Sequence, residues 1–158
     1  MQYARLGKTG LEVSRICLGC MSFGESTRGA HEWTLNEERS RPILRAAWEA
    51  GINFYDTANV YSAGTSEEIV GQLLGEFAKR EDVVIATKVC AFESRPGLSA
   101  ANIRSAVDES LTRLQTDYID LYQLHHPDGI TPIDETLSAL DDLVRDGKVR
   151  YLGHSNLA

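Results

Sequence analysis

Strand-like and helix-like segments alternate along nearly the whole chain, and this alternation limits the fold more than any other feature of the sequence. Residues 3–16 predict a short β-hairpin, and apolar, β-branched runs over residues 52–58, 83–89, 118–124 and 149–153 predict strands. Apolar residues recur at helical spacing between those strands. Such alternation indicates a parallel sheet with right-handed crossovers. The sequence therefore predicts an α/β fold, and periodicity leaves open whether the sheet is doubly wound or closed into a (β/α)8 barrel.

Capping signals predict where the helices begin. Thr34 and Thr65 each stand three residues before a glutamate, which is the pattern of a capping box. Ser99 is expected to cap the third helix. Thr131 and the following Pro132 supply an N-cap and a first-turn proline for the fourth helix. Each hydroxyl group is thus predicted to accept a hydrogen bond from a backbone amide in the first turn of its helix.

Size and charge restrict the class of protein. The 158 residues suffice for a hydrophobic core, and we predict a single domain over residues 1–158. The apolar runs are too short for a membrane span and the N-terminus lacks the apolar core of a signal peptide, so we expect a cytoplasmic protein without a membrane partner. A net charge of −7 without a basic patch argues against nucleic acid as a partner.

The cysteines and the acidic pairs do not indicate metal or disulfide chemistry. The three cysteines are an odd number, which argues against a disulfide framework. Cys17 and Cys20 form a C-x-x-C match on a strand-like run, where residues three apart point to opposite faces. Acidic pairs such as Glu67 and Glu68 stand in first turns of helices, where carboxylates suit the helix dipole. We therefore predict no metal site.

Successive predicted strands end on polar residues. These endings are Asp56, Thr87 with Lys88, His125 with His126, and Ser155 with Asn156. The carboxyl ends of parallel strands meet at one edge of the sheet, where α/β folds bind their ligands. The sequence therefore predicts a functional site at this edge.

Three of the polar residues in this region are suited to proton transfer. Strand alternation places Asp56 and Lys88 at the ends of mostly apolar stripes, so their charges are expected to pair. Tyr61 lies five residues after Asp56, in the loop that leaves the same strand. A tyrosine hydroxyl has an ordinary pKa of about 10, and a nearby ammonium favours the phenolate. Together the three residues suit general acid catalysis.

The strand ends and the N-terminal region carry motifs that are similar to those of a known enzyme family. The motifs are Asp-Thr-Ala at 56–58 with Tyr61, Thr-Lys at 87–88, Leu-His at 124–125, Gly-x-Ser-Asn at 153–156 and the glycine-rich opening at 6–24. In this order they resemble the aldo-keto reductases, above all the bacterial branch related to potassium-channel β subunits. The resemblance implies a (β/α)8 TIM barrel whose floor is closed by an N-terminal hairpin.

The resemblance also implies an activity, the NADPH-dependent reduction of an aldehyde or ketone by hydride transfer. Tyr61 would donate the proton to the carbonyl oxygen, Lys88 would favour ionisation of the phenol, and Asp56 would hold Lys88. His125 would orient and polarise the carbonyl group. His126, by strand alternation on the opposite face, is expected to pack against a helix.

The binding residues that the resemblance implies come from four parts of the chain. Ser155 and Asn156 would hydrogen-bond the nicotinamide amide. The other residues in contact with the cofactor would be Gly19, Cys20 and Met21, near the ribose and pyrophosphate, and Asp56. Trp33 would line the substrate pocket together with His125.

The chain is shorter than the barrel of this family. It ends directly after the fifth barrel strand, so the resemblance implies a partial barrel with the hairpin, about five parallel strands and four helices. The family's site for the adenosine 2′-phosphate would lie in the other half. We therefore expect residues 1–158 alone to bind NADPH weakly. Either they are a truncated or partial sequence of a longer barrel, or self-association or a complementing chain would complete the barrel.

Two other functions are compatible with the sequence. A lysine at a barrel strand end also suits a Schiff-base aldolase, although Asp56 and Tyr61 at this spacing speak against that reaction. A non-enzymatic, nicotinamide-sensing interaction module would keep the fold and the cofactor while binding a partner. The set Asp56, Tyr61, Lys88 and His125 argues for chemistry without excluding such a module.

Overall fold

The computed structural model describes residues 1–28, 31–89 and 97–156. Strands β1 (Tyr3–Arg5) and β2 (Glu12–Ser14) form the antiparallel hairpin that the sequence predicts. The other strands are β3 (Leu18–Gly19), β4 (Phe54–Asp56), β5 (Val84–Val89), β6 (Ile119–Leu124) and β7 (Val149–His154). The helices are α1 (Glu37–Glu49), α2 (Thr65–Phe77), α3 (Ala100–Leu114) and α4 (Ile133–Arg145).

Strands β3 to β7 form one parallel sheet in which each strand lies beside the next one along the chain. A doubly wound sheet reverses its strand order at a switch point, whereas this sequential order is that of a (β/α) barrel. The predicted α/β fold is therefore confirmed, as the partial barrel that the resemblance implies.

The first two helices begin differently from the prediction. Helix α1 starts two residues later than a Thr34 cap would require, because Asn36 is the N-cap and accepts a hydrogen bond from the Arg39 amide. The Thr34 hydroxyl donates to the His31 carbonyl instead. Helix α2 follows Gly64, which is its N-cap with a φ of 91°, and Thr65 is the first residue of the helix. The predicted capping boxes at Thr34 and Thr65 are therefore wrong, because Asn36 and Gly64 take the capping positions.

Of the two remaining predicted caps, Ser99 caps its helix and Thr131 does not. The Ser99 side chain accepts from the Asn102 amide at the start of α3, so this predicted cap is confirmed. Helix α4 begins after Pro132, and the Thr131 hydroxyl donates to the Asp128 carboxylate at 2.6 Å. The predicted Thr131 cap is therefore wrong, because the helix begins one residue later, with Pro132 in the capping position.

The main core lies between the helices and the outer face of the sheet. Leu44 of α1, Leu73 of α2, Ile103 of α3 and Leu140 of α4 are all buried there. Helices α2 and α3 approach closely at Gly71, where an added Cβ atom would lie 2.3 Å from the Leu114 carbonyl oxygen. Any larger residue at that position would push the two helices apart.

A second, smaller apolar cluster closes the inner face at the amino ends of the strands. Leu11 and Val13 of the hairpin pack against Val84, with Phe54 and Tyr151 beside them. The hairpin thus covers the bottom of the sheet, as the resemblance implies. The inner face is left open toward the carboxyl ends of the strands, where the polar residues stand.

The apolar stripe of α4 is buried only in part. Leu140 is buried, but Ile133 is 58% exposed and Leu137 is 52% exposed. These residues and Leu152 of β7 line an open groove of about 500 Å³. Part of the apolar stripe of α4 is therefore not covered by another element in the described part of the chain.

Candidate active site

The strand register places the predicted polar residues in a row at one edge of the sheet. Gly19 of β3 lies beside Asp56 of β4. Lys88 of β5 lies beside Gln123 of β6, and Gln123 lies beside Gly153 of β7. The carboxyl ends of these strands therefore meet, as the sequence predicts, on the inner face that the hairpin leaves open.

The Lys88 ammonium is the centre of this cluster. Its Nζ donates to Asp56 Oδ2 at 2.6 Å, to the Thr57 carbonyl at 2.8 Å and to the Tyr61 hydroxyl oxygen at 3.4 Å. Lys88 is only 6% exposed, so its charge needs a counter-ion and its three N–H groups need acceptors. The predicted pairing of Lys88 with Asp56 is confirmed.

A strained turn directs Tyr61 toward Lys88. The next residues, Ser62, Ala63 and Gly64, have φ angles of 48°, 52° and 91°, all in the left-handed region. Non-glycine residues rarely adopt this conformation, and such strain persists only where the surroundings hold it. Here the Thr65 hydroxyl donates to the Ser62 carbonyl at 2.8 Å. The turn thus fixes the phenol beside the ammonium.

The direction of the hydrogen bonds determines which proton Tyr61 can give away. Lys88 is the donor to the Tyr61 oxygen, so the phenolic hydrogen points to another acceptor. The rings of Tyr61 and His125 lie nearly perpendicular, at a centroid distance of 5.8 Å and an angle of 85°. Tyr61, Lys88, Asp56 and His125 therefore gather in one place.

His125 is an uncharged imidazole at neutral pH. Burial, and then the positive charges of Lys88 and His126, lower its pKa to about 4, against the opposing effect of Asp56. Its Nδ1 atom is buried and has no hydrogen-bond partner among the described residues. A neutral ring can give or accept a hydrogen bond without adding a charge to the site.

His126 does not pack against a helix. Strand β6 ends at Leu124, so strand alternation no longer applies to the two histidines. The rings of His125 and His126 stack at a centroid distance of 4.6 Å and an angle of 9°, and His126 is exposed. The predicted packing role is therefore wrong, and His126 covers one face of His125.

The residues implied to hold the nicotinamide lie beside His125. The Ser155 amide donates to the Leu124 carbonyl at 2.8 Å, which extends the pairing of β6 and β7. Asn156 Nδ2 donates to the His125 carbonyl and to the Ser155 hydroxyl, both at 3.0 Å. Both side chains thus stand at the same edge as the four clustered residues.

The residues implied to bind the rest of the cofactor differ in accessibility. Gly19 is exposed, and an added Cβ atom there would have no atom within 4 Å. Met21 is exposed as well, whereas the Cys20 side chain is fully buried. Cys20 therefore has only its backbone to offer, and its carbonyl already accepts from the Ser66 hydroxyl at 2.7 Å.

Trp33 is on the surface of the described part of the chain. Its indole is about half exposed and stacks on His31 at a centroid distance of 4.5 Å. The structure places no other aromatic ring against it in the described residues. Its assignment to the substrate pocket stays a prediction.

Two polar residues at or behind the cluster were not singled out by the sequence pattern. Gln123 Nε2 donates to Asp56 Oδ1 at 3.1 Å. Glu67 stands in the first turn of α2, as predicted, but it is fully buried and accepts from Arg113 Nε at 2.7 Å and from the Thr87 hydroxyl at 2.6 Å. The available signal was a glutamine facing inward on a strand, two positions before His125.

The described ranges contain neither a metal-ligating cluster nor a membrane-spanning helix. No group of three or more histidine, cysteine or carboxylate side chains is arranged to hold a metal ion. No helix in those ranges is both long and apolar enough to cross a membrane.

Fold and site together define a (β/α)-barrel protein whose five described inner strands carry a tyrosine, lysine, aspartate and histidine cluster at their carboxyl edge. The model of the aldo/keto reductase family matches residues 15–158. The chain belongs to the aldo/keto reductase family. Its place in the branch related to potassium-channel β subunits stays a prediction.

Two related proteins are similar to this chain over its whole length. The uncharacterized oxidoreductase YrpG of Bacillus subtilis (strain 168) is 45% identical over 171 residues, which cover 100% of this chain and 50% of that protein. The versiconal hemiacetal acetate reductase of Aspergillus parasiticus is 43% identical over 181 residues, which cover 100% of this chain and 52% of that protein. The chain thus spans about half the length of the curated relatives it matches.

Solved structures share the fold. The thermostable aldo-keto reductase Tm1743, in complex with the inhibitor epalrestat, superposes with a TM-score of 0.86 at 35% identity and covers 99% of this chain and 54% of its own. The holo form of the aldo-keto reductase AKR11C1 from Bacillus halodurans gives a TM-score of 0.85 at 41% identity and covers 99% of this chain and 51% of its own.

Proposed function

We propose that residues 1–158 are the N-terminal part, folded as a single domain, of an NADPH-dependent reductase that converts aldehydes or ketones to alcohols. A bound NADPH would supply the hydride to the carbonyl carbon, and Tyr61 donates the proton to the carbonyl oxygen. Family membership and the clustered side chains at the carboxyl edge support this proposal. The choice of NADPH over NADH rests on the resemblance to the family.

The observation that carries the proposal is the hydrogen bond from Lys88 to the Tyr61 oxygen at 3.4 Å. It leaves the phenolic proton free to be donated to a substrate oxygen. After transfer, the ammonium stabilises the phenolate, and Asp56 at 2.6 Å holds the ammonium in place. The neutral His125 ring beside Tyr61 orients the carbonyl group by a hydrogen bond.

The residues present fit the nicotinamide end of the cofactor. A carboxamide carries both donors and acceptors, and the Ser155 hydroxyl and the Asn156 amide offer matching groups at the same edge. Gly19 leaves open space beside Asp56. We propose that Ser155 and Asn156 bind the carboxamide, and that residues 19–21 with Asp56 line the path of the ribose and pyrophosphate.

The replacement Tyr61→Phe tests this function in the protein encoded by the complete reading frame. We expect carbonyl reduction to fall by about 10²-fold or more, because only the proton donor is removed. NADPH affinity, measured by cofactor fluorescence, should stay unchanged. Loss of cofactor binding would show that Tyr61 is structural, and unchanged reduction would refute the proposal.

The two alternative functions have distinct tests. The Lys88 ammonium is bound by three acceptors, including a carboxylate, which opposes the neutral amine that a Schiff base requires. Borohydride trapping of a carbonyl compound on Lys88 would reverse this judgement. A steady-state screen of aldehydes and ketones with NADPH separates a reductase from a nicotinamide-sensing module.

Four further predictions go with this function. The substrate is a small carbonyl compound, and neither nucleic acid nor a membrane is a partner. The protein is cytoplasmic. A polypeptide of residues 1–158 alone would need self-association or a complementing chain to complete the barrel.

A further inference from the structure

Gln123 links the sheet strand β6 to the centre of the proposed active site. Its side chain faces inward, between Lys88 of β5 and Gly153 of β7 in the register of the sheet. Its Nε2 donates to Asp56 Oδ1 at 3.1 Å, while Lys88 donates to Asp56 Oδ2 at 2.6 Å. The two oxygens of one carboxylate are thus held by two different side chains.

These two hydrogen bonds, one to each oxygen, limit rotation of the Asp56 carboxylate. The side chain is 29% exposed, so water would compete for an oxygen that Gln123 released. A rotated carboxylate would draw the Lys88 ammonium with it, because this is the shorter and charged contact. The contact from Lys88 to Tyr61, at 3.4 Å the longest of the three, is the one that such a movement breaks first.

Gly153 gives a second, independent observation. An added Cβ atom there would lie 3.1 Å from Gln123 Cγ, 3.6 Å from its Oε1 and 3.3 Å from Leu121 Cδ1. Gly153 lies within strand β7 and does not have a positive φ, so its backbone does not require glycine. The absent side chain instead makes room for Gln123 to reach Asp56.

We propose that Gln123 is a positioning residue for the reduction, which fixes Asp56 so that the Lys88 ammonium stays at the Tyr61 oxygen, with Gly153 providing the space that this requires. The inference rests on the proposed function and deepens it. Gln123 touches neither reacting atom, and its effect passes through Asp56 and Lys88.

The test measures ionisation of the Tyr61 phenol in the cofactor-free protein encoded by the complete reading frame. Near-ultraviolet difference absorbance reports the phenol when each variant is compared with the same variant carrying Tyr61→Phe. The titratable groups around Asp56 are Lys88, Tyr61, His125, Cys17 and Cys20. The subtraction isolates the phenol from the other tyrosines and from Cys17.

We expect Gln123→Leu and Gln123→Glu to move the midpoint of phenol ionisation upward by about half a pH unit or more. The leucine variant loses the hydrogen bond to Asp56, so the Lys88 ammonium can move away from the Tyr61 oxygen. The glutamate variant adds a negative charge near the Tyr61 phenol. Gly153→Ala should act in the same direction to a smaller extent. Gln72→Leu, at an exposed position on α2, is the matched control and should leave the midpoint unchanged.

Activity gives a second measurement. With NADPH and 4-nitrobenzaldehyde as the probe, the alkaline limb of the rate profile should move upward in the same variants, while NADPH affinity stays unchanged. An unmoved midpoint in both Gln123 variants overturns the inference, as does lost NADPH affinity without a moved midpoint. If Tyr61→Phe abolishes reduction while the midpoint is unmoved, only this inference fails; if Tyr61→Phe keeps its activity, the proposed function fails.

Discussion

His125 illustrates how one residue acquires its properties from three neighbours. Burial lowers the pKa of its imidazole to about 4, and the charges of Lys88 and His126 act in the same direction. The ring of His126 stacks on one face of the His125 ring, and the ring of Tyr61 lies nearly perpendicular to the His125 ring. The result is an uncharged hydrogen-bonding group beside the proposed proton donor.

This environment predicts an acid-side loss of stability. The unfolded chain binds the His125 proton near pH 6.5 and the folded chain near pH 4, so unfolding takes up a proton between these values. The free energy of unfolding should therefore decrease as the pH falls through this window. Histidine ring NMR should place the His125 midpoint near pH 4, and a midpoint at or above 6.5 would contradict the account.

His126→Phe is the control for this titration. It keeps a stacked aromatic ring and removes the neighbouring charge. The His125 midpoint should rise only in part, because burial and Lys88 remain and are the larger causes.

At the residue scale, the sequence indicates which polar groups meet and not how they are held. Asp56, Lys88 and His125 were predictable because each ends an apolar strand. The role of Gln123 was not predictable. Strand periodicity shows that its side chain faces inward, but only the structure shows that it donates to Asp56 Oδ1. The chemical roles of these residues remain predictions.

At the scale of elements, a buried ion pair joins α2, α3 and β5 behind the site. Glu67 of α2 accepts from Arg113 of α3 and from Thr87 of β5, next to Lys88 in the sequence. The Arg113 side chain also lies under Gly64, where an added Cβ atom would be 2.8 Å from Arg113 Cδ. The pair thus anchors the start of α2, which directly follows the strained turn after Tyr61.

Removing the charge of Glu67 should destabilise the protein. We expect Glu67→Gln to lower the free energy of unfolding by about 2–3 kcal/mol, at the low end for a broken buried pair because Arg113 is partly exposed. Urea unfolding measures this difference. Glu68→Gln, whose carboxylate is exposed and 3.6 Å from Arg28, should cost less than about 1 kcal/mol. Equal effects of the two replacements would show that burial of Glu67 contributes nothing.

The starts of the helices show why element boundaries are harder to predict than elements. All four helices follow from apolar periodicity, but the hydroxyls of Thr34 and Thr131 bond to the His31 carbonyl and the Asp128 carboxylate instead of to first-turn amides. Only Ser99 caps its helix as predicted. In both cases the hydroxyl bonds to a group three residues earlier in the chain, and the nearby residue Asn36 or Pro132 takes the capping position.

At the scale of the whole molecule, the parallel sheet follows from the alternation of strands and helices, whereas its barrel order does not. Periodicity is the same for an open sheet and a barrel, and the sequential order of β3 to β7 decides between them. The exposed Ile133 and Leu137 of α4 mark where periodicity overestimates burial. A stripe of correct spacing is buried only if another element covers it.

The span of the chain leads to a prediction about cofactor affinity. A polypeptide of residues 1–158 should bind NADPH weakly, because by resemblance the 2′-phosphate site lies in the other half of the family's barrel. Fluorescence titration of NADPH measures the dissociation constant. A value in the micromolar range or below would contradict this prediction.

A crystal structure of the protein from the complete reading frame with NADP⁺ bound tests the central claim most directly. We expect the nicotinamide ring to lie beside Tyr61 and His125, with its carboxamide on Ser155 and Asn156. A nicotinamide bound away from the carboxyl edge of the sheet, with Tyr61 out of its reach, would contradict it.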